Sequence, residues 1–410
     1  MTTRQVLDQA IDPSPARVLV TRDAQGEVVD ARFDLAGLPR VDALLAGRPL
    51  AEVIALAERL CGICPAAHHL AGIRAYESLI GSPSPPPAAI ATRRLLHWGS
   101  VIDMLAAVLV FTDRDDALTL RRFAKAAMAA AGSPGHFPAT AIPGGVAARP
   151  SVAGCAQQVD AARETALRLA RQSLAEPRSD EWDGADAALV DDDGHVDLLG
   201  GLLRIVAADG DVLVAGAAPD EWDDLVTEAV PGAPAPRPHL TGLGPERGAY
   251  RVGPVAQLRA GSLATPLARQ LQDEWHASLG GAAAARAIVM LHCVEAIDAL
   301  LAQPHAFDGE LAAPVPAATV TGTGVGWVDG ARGLLVHRYQ VNPDGLVASA
   351  TILTPTAQNE PWLAASLRRV AGDRRAMEHA IREADPCLPC AMTPVGGMDL
   401  VIDTMPRGGA

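Results

Sequence analysis

The 410-residue sequence predicts an α+β fold that is mostly α, a central helix bundle with small hairpins and sheets at its periphery. Three observations predict it. Apolar side chains recur at helical spacing through several long stretches, alternating apolar runs are short and flank turn residues, and 49% hydrophobic residues supply a sizeable core. We expect a single domain over residues 1–410 with a polar, acidic insertion at 176–238.

From Arg17 to Phe33, Val18, Val20, Val28, Val29, Ala31 and Phe33 flank Gln25-Gly26, the pattern of a hairpin. Leu50, Val53, Ile54, Ala57 and Leu60 then fall on one helical stripe, which leaves Glu52 and Glu58 for the wet face. Four prolines between Ser82 and Ala88 make a stiff connector. Helices are predicted over Ala91–Phe111, Ala117–Ala131 and Val152–Ala175, with a loop at Pro143-Gly144-Gly145-Val146.

The insertion carries Asp180, Glu181, Asp183, Asp186, Asp191, Asp192 and Asp193, then the short runs Leu202–Val206 and Val212–Val214. We read the acidic residues as a solvated loop in preference to a cation or partner site. Pro231 to Pro238 closes this segment. Ala282–Leu301 is strongly helical, Leu334–Leu353 reads as two strands joined by Asn342-Pro343-Asp344-Gly345, and Ala365–Glu383 is the last predicted helix.

A net charge of −14 without a basic stripe argues against nucleic acid and anionic membrane surfaces. Met1-Thr2-Thr3-Arg4-Gln5 does not open a secretory signal, and no uninterrupted apolar run suggests direct membrane insertion, so the chain reads as cytoplasmic. Six cysteines are too few for a disulfide scaffold. Cys155 and Cys293 stand alone in apolar helical stretches and read as buried small hydrophobes.

The other four form Cys61-Gly62-Ile63-Cys64 and Cys387-Leu388-Pro389-Cys390, each just after a predicted helix. Four thiolates delivered in pairs can close on one soft metal: zinc, copper, iron–sulfur or nickel. More than three hundred residues separate the pairs, whereas a zinc ribbon brings its pairs together across roughly 15–20. A thioredoxin-like redox pair would need a βαβ setting that neither has. His68, four residues after Cys64, falls on the same helical face and could approach the metal; its alternative is a capping or core histidine.

Gly47-Arg48-Pro49, Glu58-Arg59-Leu60-Cys61-Gly62-Ile63-Cys64 with His68, and Asp385-Pro386-Cys387-Leu388-Pro389-Cys390 together resemble the paired cysteine signatures of the [NiFe] hydrogenase large subunit. Further segments along the chain look like that family's motifs: Ile142-Pro143-Gly144-Gly145-Val146, Tyr250-Arg251-Val252-Gly253-Pro254, Gly330-Ala331-Arg332-Gly333 with His337, and Thr354-Pro355-Thr356-Ala357-Gln358-Asn359. The resemblance implies a Ni–Fe centre held by Cys61, Cys64, Cys387 and Cys390, with Cys64 and Cys390 bridging nickel to an Fe(CN)2(CO) unit. It also implies that Arg332 projects over the metals and that Pro355 and Thr356 line the pocket for the diatomic ligands.

The chain departs from the family at identifiable places. Pro13 stands where the resemblance implies a proton-relaying Glu, and Asp42 and Thr393 stand where it implies Glu and His near a structural magnesium, which puts magnesium binding in doubt. Thr393 also stands where a precursor would be cut, and the chain runs on past it, so the tail is expected to be retained. Phe137-Pro138 replaces a usual His-Pro, and Ile102-Asp103-Met104-Leu105-Ala106 departs from a usual Ser-His-Ala-Leu-His. These losses favour a maturation scaffold that holds or transfers Fe(CN)2(CO), nickel being optional; its partners would be maturation proteins and a cognate hydrogenase large subunit. The alternative is a divergent catalytic large subunit that uses Arg332 and turns over H2 with an iron–sulfur small subunit; a non-redox zinc or sensory role is third.

Overall fold

The computed structural model describes residues 16–35, 42–175, 182–228, 237–315 and 320–406, apart from the side chains of residues 42, 43, 60 and 406. Pro13, Asp180, Glu181 and Pro231 lie outside that set, as does the Asp42 side chain.

Strands β1 (Arg17–Arg22) and β2 (Val28–Phe33) form the expected antiparallel hairpin. A strand absent from the sequence reading joins it: β10 (Val401–Pro406) pairs in parallel with β1, Arg17 opposite Val401 through Arg22 opposite Pro406. Helix α1 (Leu50–Leu60) has the predicted bounds, and α2 (Pro65–Leu79) follows after one tight turn, with Pro65 at its first position where no N–H is missed.

The bundle is built by α3 (Pro87–Ala107), α4 (Arg114–Ala130), α5 (Val159–Leu174), α6 (Pro254–Ala260), α7 (Pro266–Ser278) and α8 (Ala282–Leu301). α4 starts where the Asp113 carboxylate accepts from the Asp116 N–H at 3.2 Å. The predicted helix 152–175 is a single turn at Ala153–Ala156 followed by α5. α8 carries apolar side chains on every face, with Glu295 accepting from the N–H groups that start α7 and Asp298 paired with Arg163 of α5. Helices α3, α5 and α7 cover it, so it forms the core axis. By length and composition Pro87–Phe111 could span a membrane, which the expectation from uninterrupted apolar runs missed; 61% of the apolar window is buried inside this fold.

A second sheet has the order β6-β3-β4-β5, from β3 (Ala185–Val190), β4 (Leu202–Val206), β5 (Val212–Ala217) and β6 (Tyr250–Arg251). It corrects part of the acidic-loop reading. Asp191, Asp192 and Asp193 are exposed as expected, but Asp186 is 1% exposed on β3, where Arg251 Nε donates to it at 2.6 Å and Arg259 adds a second ion pair. A buried carboxylate persists when paired in this way.

The third sheet is an antiparallel meander of β7 (Gly322–Val328), β8 (Leu335–Val341) and β9 (Val347–Leu353). Asn342 makes the predicted turn: its side-chain oxygen accepts from Asp344 N–H and Leu346 N–H, both at 3.0 Å. β7 lies directly on α2, since a Cβ at Gly326 would sit 2.2 Å from Ala75 N and 2.5 Å from Ala71 O. Only glycine permits that approach, and it fixes the helix that follows the first cysteine pair.

The last predicted helix is two: α9 (Glu360–Arg369) and α10 (Arg374–Ala384). Gly372 breaks it at φ +111°, and Asp373 restarts it by accepting from Arg375 N–H and Ala376 N–H.

Candidate metal centre

Cys61 ends α1 in an extended conformation and Cys64 caps the start of α2. Cys64 C=O accepts from the Ala67 and His68 N–H groups, and Cys64 N–H donates to Cys61 Sγ at 3.3 Å. Backbone geometry at two helix ends therefore turns both thiols to one side.

The second pair is placed differently. Asp385 leaves α10 in the left-handed conformation, φ 42°, which turns the chain away from the helix. Cys387 N–H donates to Thr356 Oγ1 at 2.8 Å, and Cys390 lies in a 3₁₀ turn at Pro389–Met392, where its C=O accepts from Thr393 Oγ1 at 2.8 Å. The pairs meet: Cys61 and Cys64 Sγ are 2.8 Å apart, and Cys387 Sγ lies 3.8 Å from Cys64 and 4.0 Å from Cys61. Cys390 is buried on the same turn, with no such sulfur contact among the described residues. All six cysteines are free thiols.

Protons are shared unevenly in this cluster. Hydrogen bonds from Cys387 and Cys64, with His68 adding to them, outweigh burial and pull Cys61 well below an ordinary thiol. The hydrogen bond to Cys61 pushes Cys387 up to about 12, and Cys64 rises with its bonds to Cys387 and Cys61. Burial raises Cys390 to about 11. Thiols brought this close together, sulfur to sulfur, make a donor set suited to a soft cation.

Arg332 is 5% exposed. Its Nε donates to Asp385 C=O at 3.1 Å and its Nη2 to Asp385 Oδ1 at 3.3 Å. Burial works to discharge the guanidinium, but the Asp385 carboxylate with Cys387 and Cys64 overcomes it and raises the pKa. Its Nη1 is buried without a partner, a donor left free for an acceptor. The backbone at Arg332 is held by neighbours. Asn359 accepts from Val252 N–H at 2.9 Å and donates to Arg332 C=O at 3.4 Å, and a Cβ on Gly253, φ +102°, would meet Arg332 O at 2.8 Å. Three motifs distant in sequence thereby converge on the Arg332 backbone and fix the base of its side chain.

His68 is a buried residue of α2 whose ring lies within 4.8 Å of the Cys61 and Cys64 sulfurs. Its Nδ1 is 2.9 Å from His337 Nε2, and His337 Nδ1 is 2.6 Å from Tyr339 Oη. Burial, with His68 beside it, depresses His337 well below the usual histidine value. Glu58 corrects the wet-face reading, being 6% exposed and 2.7 Å from His69 Nδ1. Since His69 Nε2 accepts from Ala141 N–H at 3.0 Å, its Nδ1 carries the proton that Glu58 receives.

Every residue selected from sequence, Cys61, Cys64, His68, Arg332, Pro355, Thr356, Cys387 and Cys390, falls in this region or on the elements that frame it, with Pro355 opening the single turn Pro355–Gln358. Sequence reasoning missed Asp385, Asn359 and Tyr339 as partners, although Asp385 and Asn359 lie within motifs already singled out. It also missed Arg382 and Glu378, whose i,i+4 spacing looks like an ordinary helix pair.

The thiols and the free Arg332 donor fit a soft, redox-active metal with small anionic or π-accepting ligands. Comparison with known proteins agrees. Residues 40–111 match the family model for nickel-dependent hydrogenases. The chain is 27% identical to the NAD-reducing hydrogenase HoxS subunit beta of Cupriavidus necator, across 96% of this chain and 95% of that protein. It is 28% identical to one of the subunits of the F420-non-reducing hydrogenase of Methanothermobacter thermautotrophicus, across 92% of this chain and 91% of that protein. Among solved structures, an NAD+-reducing [NiFe]-hydrogenase in the H2-reduced state superposes with a TM-score of 0.78 at 28% identity, covering 91% of this chain and 95% of that one.

These matches overturn the maturation-scaffold expectation, with its transferable Fe(CN)2(CO) cargo, maturation partners and chaperone role. Proteins that resemble the chain nearly end to end are named as hydrogenase subunits. The expectation rested on absences at Pro13, Asp42 and Thr393, and an absence does not exclude a substitute elsewhere: Glu58 is buried near the site, and Arg382 holds the turn that ends at Thr393.

Proposed function

We propose that this chain, which belongs to the nickel-dependent hydrogenase large-subunit family, is the catalytic large subunit of a [NiFe] hydrogenase that oxidises or produces H2 with an iron–sulfur partner. One observation carries the reading: sulfur atoms 323 residues apart in sequence lie 3.8 Å apart, in a site where a buried Arg332 keeps a free donor.

Cys61, Cys64, Cys387 and Cys390 would hold nickel and iron. That centre, when bound, supplies the redox chemistry by which H2 yields two protons and two electrons. The protein's own groups do the rest. Arg332, anchored by Asp385, points a permanent cation into a site of low dielectric, where it favours anionic ligands. Thr356 Oγ1 already accepts from Cys387 N–H, so its hydroxyl proton is available to an acceptor in the same pocket. Pro355 presents apolar wall beside it. Glu58, three residues before Cys61, is the buried carboxylate on this side of the site, and it serves proton transfer where Pro13 cannot. We place the chain in a reducing, cytoplasmic setting, where the thiols that would hold the metals stay reduced.

The test is anaerobic purification from nickel-supplied cells, with nickel and iron quantified, infrared spectra in the CO and cyanide region, and H2-dependent dye reduction on one sample. Stoichiometric nickel and iron, diatomic bands and dye reduction are the expected result. Iron without nickel, and no response to H2, would overturn the reading.

A further inference from the structure

The family resemblance implies a structural magnesium ion near the residue three positions after the last cysteine, which here is Thr393. The described residues do not fit one. Thr393 Oγ1 is committed to Cys390 C=O, and the carbonyls that end the turn are already bound by a guanidinium: Arg382 Nη1 donates to Thr393 C=O at 2.9 Å and Nη2 to Pro394 C=O at 2.7 Å. Glu378 is the counterion, accepting from Arg382 Nε at 3.0 Å and Nη2 at 2.7 Å, and its Oε1 also accepts from Gly396 N–H at 2.7 Å. Magnesium needs oxygens at roughly 2.0–2.1 Å in octahedral array, and a cation there would face the Arg382 charge directly.

Beyond this clamp the chain stays inside the fold. Met398 and Leu400 are 2% and 3% exposed, Val401 N–H donates to Ala16 C=O at 2.7 Å, and β10 completes the sheet on β1. Removing these residues would strip β1 of its parallel partner and bare the apolar surface under Met398 and Leu400.

We propose that Arg382 is a positioning residue for Cys390: its fork, balanced by Glu378, fixes the fourth-cysteine turn without a bound divalent cation, and residues 394–406 are a permanent part of the protein. Several separate backbone oxygens must be met at once by one planar group, which guanidinium geometry suits and an ammonium does not. The clamp operates in the metal-free chain, so its test is independent of hydrogen turnover.

The experiment is pulsed iodoacetamide labelling of the full chain made without nickel, read cysteine by cysteine by mass spectrometry, with intact mass and magnesium content on the same material. Cys155 and Cys293, buried elsewhere, report global opening. Expected are no stoichiometric magnesium, no effect of EDTA on Cys390 labelling, and an intact mass that includes the tail. Arg382→Ala should speed labelling of Cys390 by about ten-fold or more with Cys155 and Cys293 unchanged, and Arg382→Lys should recover part of the protection. If Arg382→Ala raises all sites together by unfolding the chain, Glu378→Gln decides: it must raise Cys390 alone. Stoichiometric magnesium whose removal exposes Cys390, a chain cut after Thr393, or Cys390 labelling unchanged in Arg382→Ala or, after such unfolding, in Glu378→Gln overturns the proposal.

Discussion

The two Cys-x-x-Cys segments share a spacing and little else. The first is held by backbone: Cys61 ends α1, Cys64 begins α2, and the glycines of β7 press α2 into place. The second follows a left-handed Asp385 and is held by side chains, with Thr356 on Cys387, Thr393 and Arg382 on the Cys390 turn, and Arg332 on Asp385. Helix ends carry their geometry cooperatively with the whole helix, whereas each side-chain tether can be removed alone. The first segment is therefore a rigid half of the site, and the second is an adjustable half whose position depends on individual hydrogen bonds.

The largest effect tests whether both halves serve one centre. Cys64→Ser and Cys390→Ser are each expected to abolish retention of iron and nickel, because a hydroxyl is a poor donor to soft metals. Metal analysis of the purified variants reads this directly. Iron retained by the Cys390 variant would remove the adjustable half from the metal site and break the comparison.

A smaller effect separates the two modes of anchoring. Thr356→Val deletes the acceptor of the Cys387 N–H and leaves a part-buried donor unpaired, a loss of about 1–3 kcal/mol. Glu58→Gln, in the rigid half, keeps an oxygen to accept from His69, so its cost should stay below about 1 kcal/mol. Urea denaturation of both variants measures the difference. Equal losses would mean that side-chain tethers matter as much at the first pair as at the second.

The same contrast explains what could be read from sequence. Helix α1, the β1–β2 hairpin and the β8–β9 turn were legible because apolar periodicity and turn residues are local signals. β7 was not: Gly322, Gly324 and Gly326 are poor strand formers, Gly324 and Gly326 present because α2 lies too close for a side chain and Gly322 because its φ of +108° favours glycine. The split between α9 and α10 hid in Gly372-Asp373 within a periodic run, and β10 lies beyond a Pro–Gly segment with no long-range pairing signal. Glu58 was misjudged because the stripe of one helix says nothing of what packs on its other face, here His69. The four cysteines and Arg332 stood out by motif, while Arg382 looked like half of a surface ion pair because only the tertiary fold brings the carbonyls of Thr393 and Pro394 to it.

The smallest effect concerns acid, and it should act on the rigid half alone. His337 on β8 is buried between His68 of α2 and Tyr339 of its own strand, and that burial, with His68, keeps its folded pKa below the unfolded value of 6.5. Below pH 6.5 the unfolded chain takes up a proton that the folded site refuses, so stability from this residue is complete above pH 6.5 and declines as pH falls below it. His292 on α8, depressed to about 4 by burial, declines in the same direction but within the bundle. The Arg382 clamp contains no histidine, and His379, on α10 beside Glu378, is exposed to solvent. Hydrogen exchange, corrected for intrinsic rate, should therefore rise in β8 and the start of α2 between pH 7 and pH 5, with α10 and the Cys390 turn unchanged. His337→Gln should flatten the β8 response and leave that of α8, because the neutral amide keeps hydrogen-bonding capacity without a titrating proton. If α10 opens as readily as β8 over that range, acid is acting on the whole fold and the two halves are not independently anchored.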